Sequence, residues 1–145
     1  DNGLRHYFYG GKEETIQVLS EKLPGEYPSL RIAGMVSPPF RPLTEEEDER
    51  ELQKMNDAKS DIIWIGLGAP KQERYMYEHR GKVNGVMIGV GAGFDYYAGT
   101  IKRAPMWMQK LSLEWLYRLM QDPKRLFRRY FATNFKFLRL TMGRK

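Results

Sequence analysis

Two short and almost unbroken apolar runs, Asp61–Leu67 and Val86–Val90, constrain this chain more than any other feature. Runs of that length suit strands buried on both faces, the usual condition in a parallel sheet covered by helices. Each breaks into a glycine-bearing loop, Gly66-Leu67-Gly68-Ala69-Pro70-Lys71-Gln72-Glu73 after the first and Gly89-Val90-Gly91-Ala92-Gly93-Phe94-Asp95 after the second. Upstream, Leu4–Tyr9 alternates as a strand does and meets Gly10-Gly11. Glu13–Leu23 then carries Ile16, Val18, Leu19 and Leu23 at helical spacing, and Pro24-Gly25 is expected to stop that helix. Leu30–Met35 reads as another strand, and Pro38, Pro39 and Pro42 stiffen the loop that follows. Thr44 is placed to cap the next helix, with Glu47 answering three residues on. The acidic run Glu45–Glu51 is expected to be the solvated face of that capped helix rather than a metal site.

This alternation predicts an α/β, Rossmann-like layered domain with a parallel sheet, its strands joined by right-handed crossovers, over residues 1–104. Ligands of such sheets bind beyond the carboxyl ends of the strands, where the glycine loops fall. From Pro105 the strand signal disappears. Met106–Met120 and Pro123–Met142 read as two helices split by Asp122-Pro123, which makes residues 105–145 a helical appendage.

Charge separates the two parts. The 145 residues carry a formal net charge of +6, but residues 1–100 hold 12 basic against 16 acidic side chains and residues 101–145 hold 12 against 2. An anionic partner is therefore expected at the C-terminal end. On a helical wheel Leu126, Phe127, Tyr130, Phe131, Phe135, Phe137 and Leu138 share one half, and Arg125, Arg128, Arg129, Lys136 and Arg139 the other. That is the pattern of a helix lying in a membrane interface, and equally of one packed on a core with its arginines in water.

Composition excludes other chemistries. With no cysteine there is no disulfide scaffold, thiolate zinc site or cysteine nucleophile, and His6 and His79 are too few for a histidine-built metal centre. No apolar run is long enough to span a bilayer and the first residues do not read as a signal peptide, so a reducing, cytoplasmic setting is expected.

Several short motifs are candidates for chemistry. Gly10-Gly11-Lys12, between a strand and a helix, reads as a phosphate cradle or equally as a tight turn. Pro70 fits a first helical turn, leaving Lys71, Gln72 and Glu73 around an exposed helix N-terminus. The Gln72 amide suits sugar hydroxyls and Lys71 a phosphate, while the bland alternative makes Glu73 a dipole residue and Lys71 solvated. Gly91 lies in a run of small residues ending at Asp95, whose carboxylate reads as a ribose or base contact or, more commonly, a helix cap. No glycine fingerprint of the dinucleotide type is present, so NAD is not expected. Arg103, Arg118, Arg125, Arg128 and Arg129, with Lys102 beside them, read as guanidinium forks that match phosphate oxygens or, taken singly, as a solvated face or a helix C-terminal charge.

Taken together, Phe8–Lys12, Gly66–Glu73, Gly89–Asp95, Lys102-Arg103-Ala104-Pro105, Leu113–Leu119 and the tail Pro123–Tyr130 resemble, in order and spacing, the WecG/TagA/CpsF glycosyltransferases over essentially the whole chain. The resemblance implies transfer of an N-acetylmannosamine-type sugar from a UDP-sugar to a polyprenyl diphosphate-linked acceptor at the inner membrane face. The products of such transfer are teichoic acid linkage units, common antigen, capsule or exopolysaccharide. It places the equivalent of Gln72 in the sugar pocket, and it implies that Arg118, Arg125 and Arg128 close from the appendage over the diphosphate, with Asp95 as a nucleoside contact. Gly10, Gly11, Lys71, Gly91 and Arg103 complete the expected substrate-binding set. No metal and no cofactor are expected, since no Asp-x-Asp motif is present to hold a divalent ion.

Family members carry roughly another 100 residues before the segment matching Leu4–Gly11, a length typical of a further layer of structure, and their proposed catalytic aspartate lies there. Alone, the chain is expected to lack the general base; as part of a longer enzyme, its function is the parent's. The expected partners are the UDP-sugar, the lipid-linked acceptor and an anionic membrane surface, without nucleic acid, and a homo-oligomer is allowed. The rival reading is a non-catalytic basic module binding anionic lipid or nucleic acid, supported by the basic tail and its aromatics.

Overall fold

The computed structural model describes residues 3–121, together with Pro123, Leu126, Phe131, Phe135, Phe137, Arg139, Leu140 and Thr141. The chain divides into two compact units, Asp1–Ile101 and Lys102–Lys145.

In the first unit four parallel strands form one sheet: β1 (Arg5–Gly10), β2 (Arg31–Val36), β3 (Ile62–Gly66) and β4 (Val86–Gly89), in the spatial order β2-β1-β3-β4. The connecting helices are α1 (Glu13–Glu26), α2 (Glu45–Asp57) and α3 (Lys71–Glu78), and α4 (Gly93–Ala98) follows β4. This is the expected α/β layered, parallel-sheet architecture. Because side chains alternate across a strand, β1 feeds two cores at once. Tyr7 and Tyr9 pack with Met55 of α2, Ile63 and Ile65 of β3 and Tyr75 of α3. Phe8 faces the other way, onto Ile16, Leu19 and Leu23 of α1 and Phe94 and Ala98 of α4.

The strand buried on both faces is β1, whose last four residues are all buried. The run Val86–Val90 behaves differently from the expectation. β4 is an edge strand, and Val86 and Ile88 are 64% and 36% exposed, because only the face carrying Met87 is packed against the core. An apolar run marks strand character without revealing whether the strand ends up central or at an edge.

Two helix boundaries also move. Pro24 lies inside α1, which runs on to Glu26 and closes with Tyr27 N–H donating to the Leu23 carbonyl at 2.8 Å. In a final turn a proline forfeits one backbone bond while its fixed φ remains helical. Met106–Met120 is two helices, α5 (Met106–Lys110) and α6 (Glu114–Gln121). Between them Ser112 adopts φ +56°, and Leu113 N–H donates to the Met108 carbonyl at 2.8 Å, the bond that ends a helix around a left-handed residue. Of the stretch Pro123–Met142, most positions, including Phe127, Tyr130 and Leu138, lie outside the described residues. Those described from Pro123 to Thr141 are helical.

Thr44 caps α2 as expected: its hydroxyl accepts from Glu47 N–H at 3.2 Å, and the Glu47 carboxylate accepts from Thr44 N–H at 3.0 Å. Arg41 grips the same carboxylate through both of its terminal nitrogens at 2.6 Å. With the Arg41 bonds first and the Thr44 N–H second, Glu47 is held down at about 2.

The tightest point of the sheet is where β1 and β3 end. Gly10 has φ +122°, and a Cβ placed on it would lie 2.5 Å from the Gly66 carbonyl carbon. Gly10→Ala is therefore expected to destabilise the first unit by about 2–4 kcal/mol, combining left-handed strain with a backbone clash. Urea unfolding checks this: the midpoint falls for Gly10→Ala but not for Gly25→Ala, where an added methyl meets nothing within 4 Å.

Candidate functional site

The strand order dictates where a site can form. From β1 the chain moves outward to β2 on one side, then returns to place β3 on the other, so neighbouring connections diverge between β1 and β3. In open sheets of this kind ligands bind at such a switch point, beyond the carboxyl ends of the strands. The loops at these carboxyl ends are Gly10-Gly11, Gly66-Leu67-Gly68 and the glycine turn after β4.

Small residues draw these loops together. Gly11 N–H donates to the Gly66 carbonyl at 3.1 Å, and the Gly11 carbonyl accepts from the Ser37 hydroxyl, just past β2, at 2.9 Å. The Phe94 ring fills the space that a side chain on Gly66 would need, and lies 3.6 Å from where a Cβ on Gly11 would stand. Gly10, Gly11, Gly66 and α4 thus share one seam.

Gln72 is buried, whereas Lys71 and Glu73 on either side are exposed, so the helix N-terminus is not uniformly open as expected. The helix itself opens at Lys71, with Pro70 as its cap residue. The Gln72 Oε1 accepts from Gly91 N–H at 2.8 Å and its Nε2 donates to Glu73 Oε1 at 3.0 Å. The side chain clamps the turn after β4 onto α3. An amide nitrogen carries two hydrogens, and the bond to Glu73 uses one of them.

Asp95 is the third residue of α4 and caps no helix, which removes the cap alternative. Its Oδ1 accepts from the Thr15 hydroxyl of α1 at 2.9 Å and from the Thr100 hydroxyl at 3.4 Å. Thr15 is fully buried and lies 3.5 Å from where a Cβ on Gly11 would stand, so the carboxylate is tied to the same seam as Gly11. Thr15 escaped the sequence reading because a threonine on the inner face of an amphipathic helix looks like core.

In the second unit Arg103 is exposed and Arg118 half-buried on α6. Around them Gln109 Nε2 donates to the Ala104 carbonyl at 2.6 Å and Gln121 Nε2 to the Lys102 carbonyl at 3.0 Å. Arg125 and Arg128 lie outside the described residues. Among the described residues no group of three His, Cys, Asp or Glu side chains could hold a metal ion, and no helix is long and apolar enough to cross a membrane.

One expectation about this face is corrected. The run Glu45–Glu51 is not wholly a solvated face: Asp48 meets His79 at 2.7 Å, and Glu51 Oε2 is buried with no hydrogen-bond partner. His79, which follows α3, is itself buried. Acidic residues spaced for water on a wheel can still face a neighbouring helix, and the wheel does not know where that helix sits.

The glycosyl transferase WecG/TagA/CpsF family matches residues 1–145. The chain belongs to that family. It is 35% identical over 122 residues to an N-acetylglucosaminyldiphosphoundecaprenol N-acetyl-beta-D-mannosaminyltransferase of Bacillus subtilis (strain 168), covering 83% of this chain and 46% of the relative. It is 32% identical over 128 residues to the enzyme of that name in Staphylococcus aureus (strain MW2), covering 88% and 48%. The chain therefore spans about half the length of the curated relatives it matches.

The clamp makes a local prediction. Gln72→Ala leaves Gly91 N–H without its acceptor, at a cost of about 1 kcal/mol. Hydrogen exchange at the Gly91 amide is expected to quicken while exchange in β1 stays unchanged. An unaltered Gly91 rate would mean that the turn holds its shape without α3.

Proposed function

We propose that this chain forms the donor-binding part of a glycosyltransferase of cell-wall or surface polysaccharide synthesis. The enzyme moves an N-acetylmannosamine-type sugar from a UDP-sugar to a polyprenyl diphosphate-linked acceptor. The observation that carries the reading is the glycine seam at the carboxyl ends of β1 and β3, where Gly10, Gly11 and Gly66 meet beside the Gln72–Gly91 clamp. The names of the relatives, which specify N-acetylmannosaminyl transfer to a lipid diphosphate, supply the substrate class.

Such a reaction has two demands. An acceptor hydroxyl must lose its proton as its oxygen attacks the sugar's anomeric carbon, and the departing nucleoside diphosphate must be stabilised as negative charge develops on it. In this reading the absence of side chains at Gly10, Gly11 and Gly91 lets the diphosphate come close to the backbone, with Lys71 beside it. The remaining amide hydrogen of Gln72 orients a sugar hydroxyl, and Asp95, held by Thr15, contacts the nucleoside. Arg103, Arg118, Arg125 and Arg128 serve the leaving diphosphate in place of a divalent ion. The general base is assigned to no residue of this chain.

Calorimetric titration of the chain with UDP and with UDP-N-acetylmannosamine tests the donor assignment. Both are expected to bind equally well with and without EDTA. Gln72→Ala is expected to weaken the sugar nucleotide by about 0.5–1.5 kcal/mol more than UDP. Equal losses for the two ligands would confine Gln72 to its clamp, and a strict Mg²⁺ or Mn²⁺ requirement would overturn the arginine assignment.

The second unit is assigned to the membrane surface, where the lipid-linked acceptor resides, making the enzyme peripheral at the inner face. Supporting this, Phe131, Phe135 and Phe137 are each about two-thirds exposed among the described residues, as are Met106 and Met120. Basic residues near an anionic surface add about 1 kcal/mol each. Co-sedimentation with vesicles containing anionic lipid is expected to retain the intact chain and release a version ending at Asp122. Equal binding by both, or by neither, would make the segment after Asp122 purely structural.

A further inference from the structure

We propose that Glu73 is a second sugar-reading residue of the donor site: its carboxylate accepts from the acetamido N–H of the transferred sugar, while the Gln72 amide beside it donates to the neighbouring hydroxyl oxygen. This role rests on the assignment of Gln72 to the donor site. It starts from the orientation of a single amide. Gln72 Oε1 accepts from Gly91 N–H at 2.8 Å, and Nε2 donates to Glu73 Oε1 at 3.0 Å. Turned over, the amide would set its hydrogens against the Gly91 N–H and its oxygen against the carboxylate. Two partners on two segments of chain thus fix one orientation. In that orientation Oε1 is taken by Gly91, and one hydrogen of Nε2 is left over.

The surroundings of that nitrogen leave room for a ligand. Gln72 itself is 8% exposed, but the residues bounding its Nε2 are not buried: Glu73 is exposed, and so is Gly89, the last residue of β4. A Cβ on Gly89 would stand 3.0 Å from Nε2, in space that the glycine keeps open. Glu73 also holds an acceptor in reserve. Among the described residues its Oε2 has no hydrogen-bond partner, and the adjoining cation Arg74 is engaged by Glu78 at 2.7 Å. A donor and an acceptor therefore stand side by side, the donor aimed by its bond to Gly91.

The chemistry of an N-acetylated sugar fits this pair. Its acetamido nitrogen carries one hydrogen and only donates, while the hydroxyl on the next ring carbon has an oxygen that accepts. Enclosing the N–H without an acceptor would weaken binding. Lys71 and the arginines assigned to the donor only donate, Gln72 Oε1 is committed to Gly91, and Asp95 serves the nucleoside. Glu73 is the acceptor that remains among the residues assigned to the donor. A carboxylate in the first turn of α3 also suits the helix dipole, but that effect needs charge alone and favours no ligand over another.

Calorimetry on the full chain separates the two roles, with UDP, UDP-N-acetylmannosamine and UDP-2-deoxyglucose as ligands. The last carries no hydrogen-bond donor at C2. Glu73→Ala is expected to weaken UDP-N-acetylmannosamine by about tenfold, the scale of one hydrogen bond, and to leave UDP and UDP-2-deoxyglucose unchanged. Glu73→Gln removes the charge but keeps an acceptor oxygen, and is expected to restore most of the lost affinity. Equal losses for UDP and UDP-N-acetylmannosamine would reduce Glu73 to a dipole residue. A loss for UDP-2-deoxyglucose as large as for the acetylated sugar would overturn the assignment to the acetamido group. Should the wild-type chain bind no UDP, the donor-site reading fails and takes this role with it; UDP binding without a sugar-specific loss overturns the role of Glu73 alone.

The contact between the two side chains is read without any nucleotide. In a ¹H–¹⁵N correlation spectrum the two Nε2 hydrogens of Gln72 are expected to resonate far apart, since only one is bonded to Glu73, and to draw together in Glu73→Ala. Hydrogen exchange at Gly91 is expected to stay the same in that variant, because Oε1 keeps its bond. An unchanged separation of the two hydrogens would overturn the pairing on which the role depends.

Discussion

The carboxyl edge of the sheet is organised by one close approach, that of Gly10 to Gly66. Neither position has room for a Cβ: at Gly10 it would meet the Gly66 backbone, and at Gly66 the Phe94 ring. Close packing without side chains lets β1 and β3 end side by side, lets Gly11 N–H bond to the Gly66 carbonyl, and seats α4 directly against the seam. Had either residue carried even a methyl group, the loops would be held apart. Glycine serves here through absence of bulk as much as through conformational freedom.

Around that seam, polar side chains fix the loops with few bonds. Gln72 joins α3 to the turn after β4, Asp95 joins α4 to α1 through Thr15, and Ser37 joins the end of β2 to Gly11. Each of these bonds crosses between elements that the hydrophobic cores alone would leave free to slide. A neutral hydrogen bond contributes only about 1 kcal/mol to net stability, so these bonds matter less for whether the unit folds than for where its loops rest. The two cores sharing β1 supply the stability.

Much of this was legible in the residues. The parallel sheet followed from apolar runs too short for helices, and Thr44 with Glu47 declared the start of α2. The glycine loops and Gln72 were identified as candidates, and the loops do follow the carboxyl ends of β1, β3 and β4. What escaped reading shares one physical cause. Val86 and Ile88 looked like core because they are apolar, and Asp48 looked solvated because it is acidic, yet each depends on which element lies opposite. Thr15 and His79 were invisible for the same reason, since a single polar residue in a helix pattern carries no sign of its partner 80 or 31 positions away.

Local rules therefore account for the kinds of element, their order and the family to which the chain belongs, because turn chemistry, periodicity and motif spacing are properties of contiguous residues. Tertiary structure decided which strand is central, that the loops after β1 and β3 converge, and that Gln72 turns inward to Gly91 while Lys71 beside it faces water. It also decided that two acceptors flank the ring of His79. These are pairings across long stretches of chain, and they are selected by the joint packing of all the elements rather than by any one segment's preference.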